Sequence, residues 1–148
     1  MAKKKELPLI GRSDIIDLPE FDLYDIPAKV DTGAFTSAIH CSSVKVKEVD
    51  GQKMINFKIP AAKKKGKIFQ TSHYEERRIR SSNGHIETRF VITTDILIYG
   101  KVRKTEFSLA DRSSMKYPIL LGRKLLSKRF VVDVSKKNLS HKQKSEET

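Results

Sequence analysis

Four consecutive residues, Asp31-Thr32-Gly33-Ala34, join a carboxylate, a hydroxyl and a glycine at the end of a short alternating apolar stretch. A carboxylate placed there can be presented on a tight loop. Gly33 lets the backbone approach both the carboxylate and a substrate, its N–H can bond a carboxylate oxygen, and the Thr32 hydroxyl can lock the loop. The same tripeptide also serves as an ordinary turn. A second element shifts the balance: Ile119-Leu120-Leu121-Gly122-Arg123-Lys124-Leu125-Leu126 reads as a buried strand that breaks at glycine into a short helix.

Other chemistries find less support. Zinc needs three or four converging ligands, yet His40, His73, His85 and His141 fall in no His-Glu-x-x-His or paired-cysteine spacing, and the lone His73–Glu76 pair reads as surface chemistry. No Gly-x-x-x-x-Gly-Lys-Ser/Thr run offers an ATP site. His40 and Cys41 are adjacent on an expected strand, so they point to opposite faces and cannot pair as base and nucleophile. Cys41 reads as a small packing residue. The expectation is no metal and no cofactor.

The elements that must position Asp31 are strands. Apolar residues alternate over 28–31, 36–40, 44–49, 53–59, 67–70, 86–94, 96–99, 102–109, 119–121 and 130–134, and only Arg123 to Lys128 reads as helical. Asp50-Gly51 and Asn83-Gly84 sit between alternating segments as two-residue hairpin turns do, with Tyr99-Gly100 a weaker third. At 148 residues the chain suits one domain. We expect a flexible basic arm over 1–8, a folded domain over 9–134 and a polar disordered tail over 135–148, with a lysine-rich loop at Lys63–Lys67. Thirty Lys and Arg against 18 Asp and Glu give a formal charge of +12, which attracts anions: nucleic acid, anionic lipid or an acidic peptide. One cysteine excludes an internal disulfide and suits a reducing compartment; with no secretion signal and no apolar run of membrane-spanning length, a soluble cytoplasmic protein is expected.

The pairing of Asp31-Thr32-Gly33-Ala34 with Leu121-Gly122-Arg123-Lys124-Leu125-Leu126 resembles the retroviral-type aspartic peptidases, in which a flap hairpin lies between the two segments. Arg80-Ser81-Ser82-Asn83-Gly84-His85 falls where such a flap belongs. More closely, the chain resembles the bacterial retropepsin-like proteins associated with the ATP-grasp ligase RimK, often labelled ATP-dependent zinc proteases. The matching stretches are 10–12, 29–38, 77–84, 108–112, 115–123 and 131–133. The resemblance implies an all-β acid-protease barrel with a flap hairpin and one short C-terminal helix, acting as an aspartic peptidase rather than a zinc or ATP-dependent protease. Asp31, Thr32 and Gly33 would be catalytic, and Gly122 and Arg123 would support the loop.

One Asp-Thr-Gly is half of an aspartic site, because two carboxylates must share a proton. A symmetric homodimer with its twofold axis beside Asp31 supplies the second. The resemblance also implies a substrate: glutamate tails on a small-subunit ribosomal protein. Such a polyanion suits the basic chain, and arginines bind carboxylates through paired, charge-assisted hydrogen bonds. The candidate substrate contacts are Ala34, Arg80, Asn83 and Gly84 at the flap, Arg112, Arg78, Arg12 and Lys116. Phe35 departs from both patterns, since retroviral enzymes carry aspartate there and the RimK-associated proteins usually arginine. Two other functions stay open: a basic nucleic-acid- or ribosome-binding barrel, not favoured because the charge is spread over tails and loops, and a non-catalytic dimerising scaffold.

Overall fold

Alternating apolar and polar residues produce a β structure in the computed structural model, which describes residues 6–60, 66–80, 84–111 and 116–146. The strands are β1 (Leu9–Ile10), β2 (Ser13–Leu18), β3 (Leu23–Val30), β4 (Ser37–Val49), β5 (Gln52–Lys58), β6 (Phe69–Thr71), β7 (Tyr74–Arg80), β8 (Ile86–Ile98), β9 (Lys101–Asp111), β10 (Ile119–Leu121) and β11 (Val131–Val132). The α-helices are α1 (Arg123–Leu126) and α2 (Leu139–Glu146). Short β10 pairs in parallel with β3 and antiparallel with the start of β4, so the order β10-β3-β2-β8-β9-β4 closes on itself as a barrel. Ile16, Ile39, Ile92, Phe107, Ile119 and Leu121 fill its interior, each gaining about 1.5–3 kcal/mol over exposure. The outer half of β4 continues into β5 and β6, where Phe21, Phe57 and Phe69 meet with ring centroids 5.7–5.9 Å apart.

Closure at β10 is what shapes the site. Ile119–Leu121 lies beside Ala28–Val30 on one side and Ala38–Ile39 on the other. The segment 31–36 joins those two flanking strands, so it must loop around the end of β10, where Gly122 and α1 follow at once.

The turns form as expected at Asp50-Gly51 and Tyr99-Gly100, with all four residues at positive φ. Segments expected as separate strands merge: 36–40 and 44–49 fall in one bulged strand, β4 (Ser37–Val49), and 86–94 and 96–99 in one strand, β8 (Ile86–Ile98), with Tyr99 in the turn. Strands β2 and β7 were not expected, and β11 is shorter than the expected 130–134. The lysine loop falls outside the described residues over 61–65, as does the basic arm over 1–5, while Pro8 O already accepts Val131 N at 3.0 Å.

The polar tail expected over 135–148, and with it the expectation of a single helix, requires correction. Residues Leu139–Glu146 form α2, which packs on β2. Its partners are two buried carboxylates. Asp14, 1% exposed, accepts Ser140 N at 3.0 Å and His141 N at 3.2 Å, satisfying N–H groups that a helix start leaves without intrahelical acceptors. Buried Asp17 takes Lys144 Nζ at 2.9 Å. Asp14→Ala leaves those amides without an acceptor, and we expect a loss of about 1–3 kcal/mol in urea unfolding with faster amide exchange over 139–146. Unchanged exchange there would show that α2 is held by other contacts.

Candidate active site

Asp31 follows directly on β3, half-buried, with its backbone N–H bonded to Leu121 O at 2.9 Å. The loop is then turned by two bonds back onto the same residue: Ala34 N donates to Asp31 O at 3.2 Å, and Gly33 N donates to Asp31 Oδ1 at 3.0 Å. A Cβ on Gly33 would stand 3.3 Å from that Oδ1, a tight approach that glycine avoids. The carboxylate is thus oriented by its own loop, with Thr32 and Gly33 exposed beside it. Thr32, whose hydroxyl is expected to lock the loop, is held through its carbonyl oxygen, which accepts Arg123 Nη1 at 3.0 Å.

The segment after β10 grips the loop from the other side. Arg123 N donates to Ala34 O at 2.8 Å and Lys124 N to Phe35 O at 2.9 Å. Gly122 N donates to Ser37 Oγ at 3.0 Å. Ser37, fully buried, was not singled out by the sequence, where it is one more small polar residue at the start of a strand. The Arg123 guanidinium also lies 5.8 Å from the centroid of the Phe35 ring, which is 60% exposed. A cation–π contact therefore stands where an aspartate partner is expected from the retroviral pattern, and the arginine keeps its place on the loop.

A second tie, unforeseen from the sequence, joins α1 to the base of the β7–β8 hairpin. Glu106 on β9 accepts hydrogen bonds from both Arg77 on β7 and Lys124 on α1, and Arg77 also pairs with Glu75. Bonding to Arg77, then to Lys124, holds the Glu106 carboxyl below the usual carboxylate range against the opposing effect of its burial. A depressed folded-state pKa adds stability that is complete above the unfolded value near 4.3 and fades as pH falls through the folded one. We expect Glu106→Gln to cost about 1–3 kcal/mol at pH 7, and the gap in melting temperature to wild type to shrink below about pH 4. A gap that stays constant from pH 3 to pH 7 would mean the pairing carries no net stability.

The expected substrate contacts are placed unevenly. Ala34 is half-buried in the loop, and the Arg12 carbonyl accepts Val30 N at 2.9 Å, one residue from Asp31, while its exposed side chain reaches Ser135 O at 3.4 Å. Arg78 is exposed on the hairpin opposite Thr88, and Gly84 adopts φ 84° near its tip. Lys116 is exposed, its Nζ 5.9 Å from the Tyr117 ring. Arg80 ends β7 opposite Ile86, its side chain outside the description, and Asn83 and Arg112 lie outside the described residues. Cys41 packs in the core and His40 is buried. Among the described residues no three His, Cys, Asp or Glu side chains gather as metal ligands, and no helix is long and apolar enough to cross a membrane.

This geometry agrees with what the chain is similar to. Residues 9–143 match the model of the RimB-like family, described as the retropepsin-like aspartic endopeptidase RimB. A probable alpha-L-glutamate ligase of Shewanella halifaxensis is 34% identical over 130 residues, covering 86% of this chain and 28% of the ligase. One from Desulfotalea psychrophila is 32% identical, covering 100% of this chain and 34% of the ligase. The chain therefore spans about a third of the length of these curated relatives or less. A crystal structure of a Legionella pneumophila protein of unknown function superposes with a TM-score of 0.72 at 25% identity, covering 91% of this chain and 99% of that one. With its Asp31 loop cradled by Gly122 and Arg123 and its match running through nearly the whole barrel, the chain belongs to the RimB-like family of retropepsin-like aspartic endopeptidases.

Proposed function

We propose that the protein is a homodimeric aspartic peptidase that hydrolyses acidic peptides, the glutamate tail of a ribosomal protein being the substrate class that suits it best. The observation that carries this reading is the Asp31 carboxylate, held at 3.0 Å by Gly33 N–H on a loop fixed from both sides yet left half-exposed. Two such carboxylates brought together by a twofold axis stand about 3 Å apart and cannot both ionise. The ionised one takes a proton from water, the water oxygen attacks the scissile carbonyl, and the protonated partner donates its hydrogen bond to the developing oxyanion. Collapse of the tetrahedral intermediate returns a proton to the leaving amine and releases the two peptide fragments.

A second copy also suits the surface. Leu9 and Val131 on the β1–β11 pair, with Val134 just beyond, are 45%, 50% and 72% exposed, and this small sheet is separate from the barrel's own pairing. An acidic substrate suits the +12 charge, and relatives named for ligating glutamate carry a segment like this chain. The lone, buried Cys41 fits a reducing cytoplasm. The test is cleavage of a peptide ending in several α-linked glutamates, read by mass spectrometry for wild type and Asp31→Asn over a range of protein concentrations. Cleavage that depends on Asp31 and rises faster than linearly with protein is expected; its absence in a protein shown to be dimeric, here and with a broad peptide library, would leave a binding or scaffold role.

A further inference from the structure

Beside the elements that grip the catalytic loop lies a small pocket of about 120 Å³, walled by Ser37, Arg103, Lys104, Glu106, Lys124 and Arg129. Four cationic side chains surround one carboxylate, and that carboxylate is already shared with Arg77. Two of the cations are committed locally: Lys124 to Glu106, and Arg129 Nη1 to the Lys124 and Leu125 carbonyls at 3.1 Å. Arg103 differs. Its Nε is buried and has no acceptor among the described residues, in a structure where buried polar groups are otherwise mostly paired. Arg103 lines this basic pocket with part of its guanidinium's hydrogen-bonding capacity unused, and arginine's fork suits a carboxylate or phosphate.

We propose that this pocket is an accessory anion site that docks a side-chain carboxylate of the acidic substrate, away from the cleaved bond. Asp31 does not line it, so an occupant is bound there rather than cut. No aromatic ring lines the pocket for base stacking, which favours an acidic peptide over nucleic acid. A chain of glutamates engaging both the cleft and this pocket gains by a second, intramolecular contact, so affinity rises with the number of acidic residues. The pocket's walls also hold the catalytic loop, through Ser37 Oγ to Gly122 N and Lys124 N to Phe35 O. The inference rests on the acidic-peptidase reading for its ligand.

The experiment uses full-length protein carrying Asp31→Asn, so that nothing is cleaved, and fluorescence anisotropy of labelled hexaglutamate. Adding Arg103→Gln with Lys104→Gln should weaken binding about tenfold, whereas Lys53→Gln, one charge removed from the remote β5, should change it less than twofold, and inorganic phosphate should compete for the parent. Arg103→Lys should recover part of the loss, and unchanged melting temperatures exclude a folding defect. Hexaglutamate binding that is absent from the parent, or within twofold in the double variant, would overturn the site. Loss of single-stranded RNA binding with hexaglutamate binding unaffected would overturn it in favour of nucleic acid. If the double variant loses binding but wild type cleaves no glutamate peptide, the pocket stands and the peptidase reading fails.

Discussion

Asp31→Asn is expected to lower peptide hydrolysis about 10⁴-fold while leaving the melting temperature and the proposed dimer intact. The amide keeps an oxygen where Asp31 Oδ1 accepts Gly33 N–H, so the loop bonds from Asp31 N to Leu121 O, from Ala34 N to Asp31 O and from Arg123 Nη1 to Thr32 O remain available. What is lost, on the proposed mechanism, is the group that takes a proton from water. Mixing sharpens the test. With freely exchanging subunits, an equal mixture of wild type and variant contains about one quarter wild-type dimers, and heterodimers lack one of the two carboxylates. Activity at constant total protein should fall to about a quarter; about a half would mean that each subunit works alone.

The centre of this site was legible because it is built from contiguous sequence. Asp31 to Ala34 and Ile119 to Leu126 are two short runs whose glycine and apolar pattern dictate a strand end, a loop and a short helix, and they meet because β10 pairs with β3 and β4. The parts that were missed depend on distant partners. Strand β2 hides Asp14 and Asp17 among buried Ile16 and Leu18, which breaks the alternation that marks a strand. Those carboxylates are satisfied in the interior because Ser140 N, His141 N and Lys144 of α2, more than 120 residues away, join the nearer Ile15 N and Asp25 N. The strand and the helix were therefore missed together. Glu106 likewise looks like an ordinary outward-facing charge on β9 until Arg77 and Lys124 arrive from two other elements.

Gly122→Ala should be the most damaging substitution that leaves every chemically active group in place. The backbone of Gly122, at φ −97° and ψ 177°, is open to any residue, so conformation alone does not demand glycine. Contact does. A Cβ there would lie 2.8 Å from Thr36 C and 2.9 Å from both Ala34 O and Phe35 O, all of them backbone atoms of the segment that carries Asp31. A flexible side chain cannot absorb this clash; either α1 or the loop must move. Because Arg123 N and Lys124 N bond the same two carbonyl oxygens, separation also lengthens both of those hydrogen bonds. We expect a loss of about 3 kcal/mol, a fall in melting temperature of about 10 °C for a domain of this size, and at least a hundredfold drop in kcat measured where the variant is still folded. The split between the two readouts is informative. Lowered stability with wild-type kcat would mean that α1 retreats and the loop keeps its shape, whereas a collapsed kcat at nearly normal stability would mean that the loop yields and takes the Asp31 carboxylate with it. A variant normal in both would show that the close packing of Gly122 on residues 34–36 does not fix the loop that carries Asp31.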